Sequence, residues 1–210
     1  MMKIVAHRGF WRTPKEKNRV VAFGLAMDHG FGIETDIRDY GGEIVISHDI
    51  PATPFTTLRD LLCLYFAKGM GGPLALNVKA DGLQCLTKQL LSEYGIKDYF
   101  LFDMSVPDAL LYLGVGMPAF TRQSDYETEP AFYKRAAGVW IDGFEEDWTD
   151  FEKVHVHLAN GKRVCMVSPE LHGRNQTEMW DRLRDEDLID HSGMMICTDY
   201  PEEARRFFYG

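Results

Sequence analysis

The chain has 210 residues, 45% of them hydrophobic and 26% charged, a length that suits one domain and a composition that excludes general disorder. Its 32 acidic residues outnumber 23 basic ones, for a formal charge of −9, which argues against nucleic acid as a partner because a phosphate backbone is bound by a positive field. The four cysteines, Cys63, Cys85, Cys165 and Cys197, make no Cys-x-x-Cys pair, so a thiolate zinc site and a disulfide framework are both disfavoured, and the two or more that fall in apolar runs are expected to be reduced, buried thiols.

Only Ile4-Val5-Ala6 precede the first polar motif, short of the ~7–15 apolar residues of a secretory signal, and no run reaches the ~18–20 of a membrane span. No basic amphipathic stretch offers a membrane anchor. The expectation is a cytoplasmic protein of one domain, residues 1–210.

In chain order, residues 3–8 read as a strand, 19–29 as a helix closed by Gly30, and 32–40 as a second strand. Gly41-Gly42 turns that strand into a short antiparallel return over 43–47. A helix over 57–67, a strand over 73–79 and a helix over 83–94 follow. Strands at 99–104, 118–122, 138–142, 163–168 and 194–198 alternate with further helices, one after Pro107 and the last after Pro201. About eight strands separated by helices point to an α/β protein with a parallel sheet, closed as a compact (β/α)8 barrel with a short hairpin after strand two. An open doubly wound sheet is the alternative.

Polar residues gather where these strands end. Strand one ends in His7-Arg8-Gly9, strand two carries Glu34-x-Asp36, its return ends in His48-Asp49, and strand three carries Asn77-x-Lys79. Residues i and i+2 of a strand share a face, and strand C-terminal ends form the mouth of such barrels. An isolated Glu-x-Asp would fit a solvated surface strand, but the apolar flank Phe31-Gly32-Ile33 and the nearby histidines favour a shared site. Two adjacent buried carboxylates need compensation, and a hard divalent cation, Mg²⁺ or Ca²⁺, supplies it economically to Glu34 and Asp36. His7 and His48 are suited to carry protons near neutral pH, while Arg8 and Lys79 can neutralise phosphate oxygens. That combination suits cleavage of a small soluble phosphodiester.

The combined motifs resemble the glycerophosphodiester phosphodiesterase family. The resemblance rests on His7-Arg8-Gly9, Asn18 followed by Ala22-Phe23, the run from Gly32 to Ile37, the run from Ile44 to Asp49, and Cys197-Thr198-Asp199-Tyr200-Pro201. It is strongest over residues 3–50. It implies a TIM-barrel phosphodiesterase that holds a divalent cation on Glu34 and Asp36, uses His7 and His48 as its acid–base pair, and keeps Arg8 and Lys79 near the phosphate. The implied products are glycerol 3-phosphate and an alcohol.

The chain departs from the family pattern in three places. Asn77 stands where the family usually has a glutamate ligand; its amide oxygen can still serve a hard cation, with Asp103 a candidate for extra help. The segment from Ile50 to Phe55 is shorter than the family's usual insertion, and Glu16 is one position out of register with the usual Pro-Glu-Asn-Thr block. Two alternatives follow: a related phosphodiesterase acting on a lysophospholipid-like or sugar-phosphate ester, or a phosphate-binding protein without turnover.

Other mouth candidates are Arg122, with the polar loop 123–127 as a substrate-facing wall, and Glu170 and His172 after strand seven, where barrels often bind phosphate. Trp11 and Trp140 read as aromatic packing, His155 and His157 as solvated positions, His29 as a helix C-terminal residue, and the ten methionines as core filler.

Overall fold

A computed structural model describes residues 1–52, 54–145 and 150–210; Thr53, within the loop after Asp49, lies outside the described residues. The elements are β1 (Lys3–His7), α1 (Val20–Asp28), β2 (Gly32–Tyr40), β3 (Glu43–Ile46), β4 (Thr56–Thr57), α2 (Leu58–Ala67), β5 (Leu74–Val78), α3 (Gln84–Glu93), β6 (Tyr99–Phe102) and α4 (Val106–Gly114). They continue as β7 (Phe120–Ser124), β8 (Gly138–Asp142), α5 (Phe151–Ala159), β9 (Arg163–Val167), α6 (Thr177–Asp185), β10 (Met194–Thr198) and α7 (Pro201–Tyr209). Local chemistry sets several starts. Thr57 caps α2 by accepting from the Asp60 N–H at 3.0 Å while the Asp60 carboxylate accepts from the Thr57 N–H at 2.9 Å, a reciprocal capping box.

Parallel ladders join β6, β5, β2, β1, β10, β9, β8 and β7 in that order. Beyond the barrel-like path, β2 runs on as an antiparallel pair with β3, Tyr40 opposite Glu43, and β3 carries the two-residue β4. The fully closed ring expected from the alternation is not completed by ladders. Among the described residues, β6 and β7 are joined by one isolated parallel bridge, Leu101 to Ala119, with the Leu101 N–H donating to the Pro118 carbonyl at 2.9 Å. The physical reason lies in the side chains: Phe100 and Phe120 stack face to face at 3.8 Å across this seam, so bulky rings hold the two strands where backbone pairing does not.

One sheet face packs against the helices through Ile33, Ile37, Leu74, Leu76 and their neighbours. The opposite face gathers Val5, Ala75, Phe100, Phe102, Phe120, Trp140, Cys165, Val167, Met195 and Cys197 from seven strands into a second apolar cluster. Of the eight strands in the parallel path, β2 alone contributes none, because its residues on that face are Gly32, Glu34 and Asp36, in register with Val5, Ala75 and Asn77. The apolar cluster is therefore the floor beneath the acidic pair.

Trp140 is core, stacked on Phe102 at 3.8 Å, and all four cysteines are free, with Cys165 and Cys197 buried and Cys63 and Cys85 exposed. The expectation for His157 is corrected. It is 5% exposed and bonds Tyr133 Oη and Gln123 Oε1, each at 2.9 Å. The cause is helical period: Phe151, Val154, His157 and Leu158 form the buried stripe of α5, whereas His155 faces outward to Glu186 at 3.0 Å. No helix among the described residues is long and apolar enough to cross a membrane.

Gly9 couples the first strand end to α1. It has φ +87°, and a Cβ there would lie 2.8 Å from the Ala22 carbonyl carbon and Cβ. Gly9→Ala is therefore expected to lower stability by about 2 kcal/mol or more, since it combines backbone strain with overpacking; a urea midpoint equal to that of the parent chain would contradict this packing.

Candidate active site

His7 closes β1 in register with Glu34 on β2. The chain then turns sharply, with Arg8 at φ +56° and Gly9 at φ +87°, and the Gly9 N–H donates to the Ala6 carbonyl at 3.1 Å. A non-glycine residue in the left-handed region is uncommon and is kept by its surroundings. Here the turn aims the Arg8 N–H at Glu34 Oε2, 3.2 Å away, and brings Arg8 Nε to 3.1 Å from Asp36 Oδ2.

Glu34 and Asp36 are 2% and 1% exposed, which is costly for like charges. Asp36 is compensated by Arg8, by the Asn18 amide donating at 2.8 Å, and by Lys79 Nζ at 3.7 Å. Asn18 is itself fixed by the Thr35 hydroxyl, which donates to its side-chain oxygen at 2.8 Å. Glu34 has fewer partners. Burial, followed by the neighbouring Asp36 charge, pushes its carboxyl up to about 8, so near neutral pH the acidic pair retains a proton.

The His7 ring lies between two carboxylates, with Nδ1 2.7 Å from Asp199 Oδ1 and Nε2 3.9 Å from Glu34 Oε2. Burial lowers its pKa, and the Asp199 hydrogen bond and charge oppose that shift. The other Asp199 oxygen is 3.0 Å from Lys17 Nζ. Burial alone would raise the Asp199 carboxyl, but His7 and Lys17 together hold it below the usual range. Glu170 steadies this end of β10, accepting from the Thr198 hydroxyl at 2.5 Å and from the Asp199 N–H at 3.0 Å.

Lys79, just past β5, also lies 3.4 Å from Asp103, whose other oxygen is 2.6 Å from Arg122 Nη1. Arg122 additionally pairs with Glu127. Asn77 is in register with Asp36. Its Oδ1 and Asp36 Oδ1 are both buried and find no hydrogen-bond partner among the described residues. These two orphaned oxygens on adjacent strands, together with Glu34, make an all-oxygen donor set that fits a hard cation. Among the described residues no group of three or more His, Cys, Asp and Glu side chains is placed to hold a metal.

The structure thus brings His7, Arg8, Glu34, Asp36 and Lys79 into one contact network, adds Asn77 by register, and joins Arg122 through Asp103. His48 stands apart. It follows β3, is exposed, and its ring contact among the described residues is with Asp49, at 2.9 Å. It shares with Arg8, Lys17, Asn18 and Phe55 a cleft of about 330 Å³. Glu16 stabilises its own turn by accepting from the Arg12 N–H at 2.7 Å. Trp11 donates to the His7 carbonyl at 3.2 Å and lies under Lys17. Asp199 and Lys17 carried no assigned role in the sequence. The available signal for Asp199 was adjacency: the last strand of a ring lies beside the first, and β10 indeed pairs β1 with Thr198 opposite Ala6.

Among solved structures, the fold is similar to that of a phosphodiesterase from Oleispira antarctica in complex with the product sn-glycerol-3-phosphate, at TM-score 0.74 and 18% identity over 99% of this chain and 97% of that one. It is also similar to a glycerophosphodiester phosphodiesterase from Agrobacterium tumefaciens str. C58, at TM-score 0.72 and 16% identity over 100% of both chains. These likenesses establish a shared α/β fold along the whole chain. No protein-family model and no curated protein matches the sequence.

Because Asp199 raises the affinity of His7 for its proton, Asp199→Asn is expected to make the His7 ring titrate at lower pH, as followed by NMR of the imidazole. An unchanged or higher titration point would show that Asp199 does not act on the ring.

Proposed function

We propose that this chain is a phosphoric diester hydrolase of the glycerophosphodiester type, cleaving a small diester to glycerol 3-phosphate and an alcohol. One observation carries the reading: the buried Glu34–Asp36 pair sits beside Arg8, Lys79 and an imidazole backed by Asp199. The two similar structures described as phosphodiesterases, one holding sn-glycerol-3-phosphate, support it.

Hydrolysis needs a base for the attacking hydroxyl, charge stabilisation at phosphorus and an acid for the departing oxygen. His7 is held through Nδ1 by Asp199, leaving Nε2 on the acidic-pair side as a proton carrier. Asp199 favours the charged ring that follows proton uptake. Arg8 and Lys79 face the non-bridging phosphate oxygens, and Arg122 extends the cationic edge. His48, in the cleft it shares with Arg8, is the second proton carrier. Water adds to phosphorus as the base takes its proton, the bond from phosphorus to the alcohol oxygen breaks, and that oxygen takes a proton; if the substrate's neighbouring hydroxyl attacks first, the cyclic phosphate it forms is opened by water in the same way. Glu34, Asp36 and the Asn77 amide oxygen would hold Mg²⁺ or Ca²⁺, which when bound polarises phosphate oxygens as a Lewis acid.

Assays on glycerophosphodiesters with Mg²⁺ or Ca²⁺ are expected to show turnover, and His7→Ala and His48→Ala each to lose about 10²-fold or more in kcat/KM. Undiminished turnover in both variants ends the acid–base assignment, and phosphoester binding without hydrolysis under every metal tried favours the non-catalytic alternative.

Asn77→Asp adds a negative ligand at the register partner of Asp36. It is expected to tighten divalent-cation binding by about tenfold in calorimetric titration, since ligand charge tunes such sites. Unaltered affinity would place the cation elsewhere.

A further inference from the structure

Beyond Arg122, the mouth carries a second group of side chains that the proposed chemistry leaves unused. Asp142 ends β8, and its Oδ1 lies 2.7 Å from His172 Nε2. Between these and Arg122 stands Phe144, its ring edge-on to His172 at 5.5 Å and under the Arg122 guanidinium at 5.6 Å. Asp125 fixes this loop by accepting from the Phe144 N–H at 3.2 Å and the Glu145 N–H at 2.7 Å. Arg174 donates through Nη2 to the Gly143 carbonyl, yet its Nε and Nη1 are buried with no hydrogen-bond partner among the described residues.

A purely structural latch would use its buried donors, because leaving them unmet costs free energy. Here two guanidinium nitrogens of Arg174 stay unmet while the third holds Gly143, the residue between Asp142 and Phe144, so charged, aromatic and unpaired polar groups come together as they do in ligand pockets. The group is continuous with the phosphate end: Arg122 reaches Asp103 at 2.6 Å, Asp103 reaches Lys79 at 3.4 Å, and Lys79 reaches Asp36 at 3.7 Å. A leaving group on a phosphate held by Arg8 and Lys79 has this cluster as one of its walls.

The donor and acceptor types identify the occupant. Arg174 donates, Asp142 and the His172 Nδ1 left free by the Nε2–Asp142 bond accept, and Phe144 offers an apolar face, a set matched by vicinal hydroxyls on a carbon framework. A quaternary ammonium fits poorly, because Arg122 already takes the cation position over Phe144 and Arg174 adds a second positive charge. We propose that Phe144, Asp142, His172 and Arg174 form the seat of the leaving alcohol, and that this seat selects a neutral polyol or sugar over a quaternary ammonium alcohol. The inference rests on the phosphodiesterase reading and extends it to substrate class.

The test compares kcat/KM for three glycerophosphodiesters whose alcohols are inositol, choline and methanol. The inositol ester is expected to exceed the choline ester by about tenfold or more, and Asp142→Asn and Phe144→Leu to lower the inositol ester about tenfold more than the methyl ester, which is too small to fill the seat. Preference for choline, or equal losses on the inositol and methyl esters, overturns the assignment. Should the parent chain turn over none of the three, the hydrolase reading fails on its own terms, and saturation-transfer NMR with free myo-inositol and with choline chloride still decides the seat. An inositol signal lost in Asp142→Asn supports it; no inositol signal, or one undiminished in the variant, refutes it.

Discussion

The structure is organised around an electrostatic demand: Glu34 and Asp36 leave one face of β2 together and almost out of water. Two such charges in a low-dielectric setting are tolerated only when paired or partly protonated. The chain answers with a turn whose conformation makes no sense without them. Arg8 and Asn18 both adopt positive φ, the Asn18 N–H donates to the Arg8 carbonyl at 2.9 Å, and the two side chains then converge on Asp36. Gly9 lets that turn lie against α1, where any Cβ would collide with Ala22. The local strain, the close helix approach and the ion pairs are parts of a single solution.

The floor beneath the pair makes that demand sharper. Phe100, Phe102, Phe120 and Trp140 fill the sheet interior with stacked rings, and every strand of the parallel path except β2 adds an apolar side chain there. A dry floor excludes the water that would otherwise screen Glu34, which is why burial is the first cause of its raised pKa. The same rings explain the seam between β6 and β7. Strands whose Phe100 and Phe120 rings stack face to face, with centroids 3.8 Å apart, are joined there by side chains although the ladders are not continuous.

The sequence revealed the strand–helix alternation and most strand limits, because β-branched and aromatic runs broken by glycine and proline give a strong local signal. It also showed that His7, Glu34, Asp36, Asn77 and Lys79 sit at strand ends, since period two fixes which face each occupies. What it hid was non-local. The role of Asp199 depends on β10 meeting β1 across almost the whole chain. The burial of His157 depends on where α5 begins its stripe. The seam depends on two rings from different strands meeting. Asp103 shows the same limit: it follows strand four in sequence, but its work as a bridge between Lys79 and Arg122 needs β5, β6 and β7 side by side.

On the proposed reading, the two histidines also cease to be equivalent. His7 is enclosed, and burial disfavours its charged form while Asp199 waits at Nδ1. A ring that is neutral before reaction and has a carboxylate ready to stabilise its cation afterwards is built to accept a proton. His48 has no such enclosure; it is 47% exposed and its partner Asp49 is 91% exposed. It lines the open cleft it shares with Arg8. The sequence placed both imidazoles at strand ends, each beside a charged residue, and gave no means of ranking them. Burial distinguishes them: the enclosed imidazole lies with β1, β2 and β10, and the exposed one lies beyond β3.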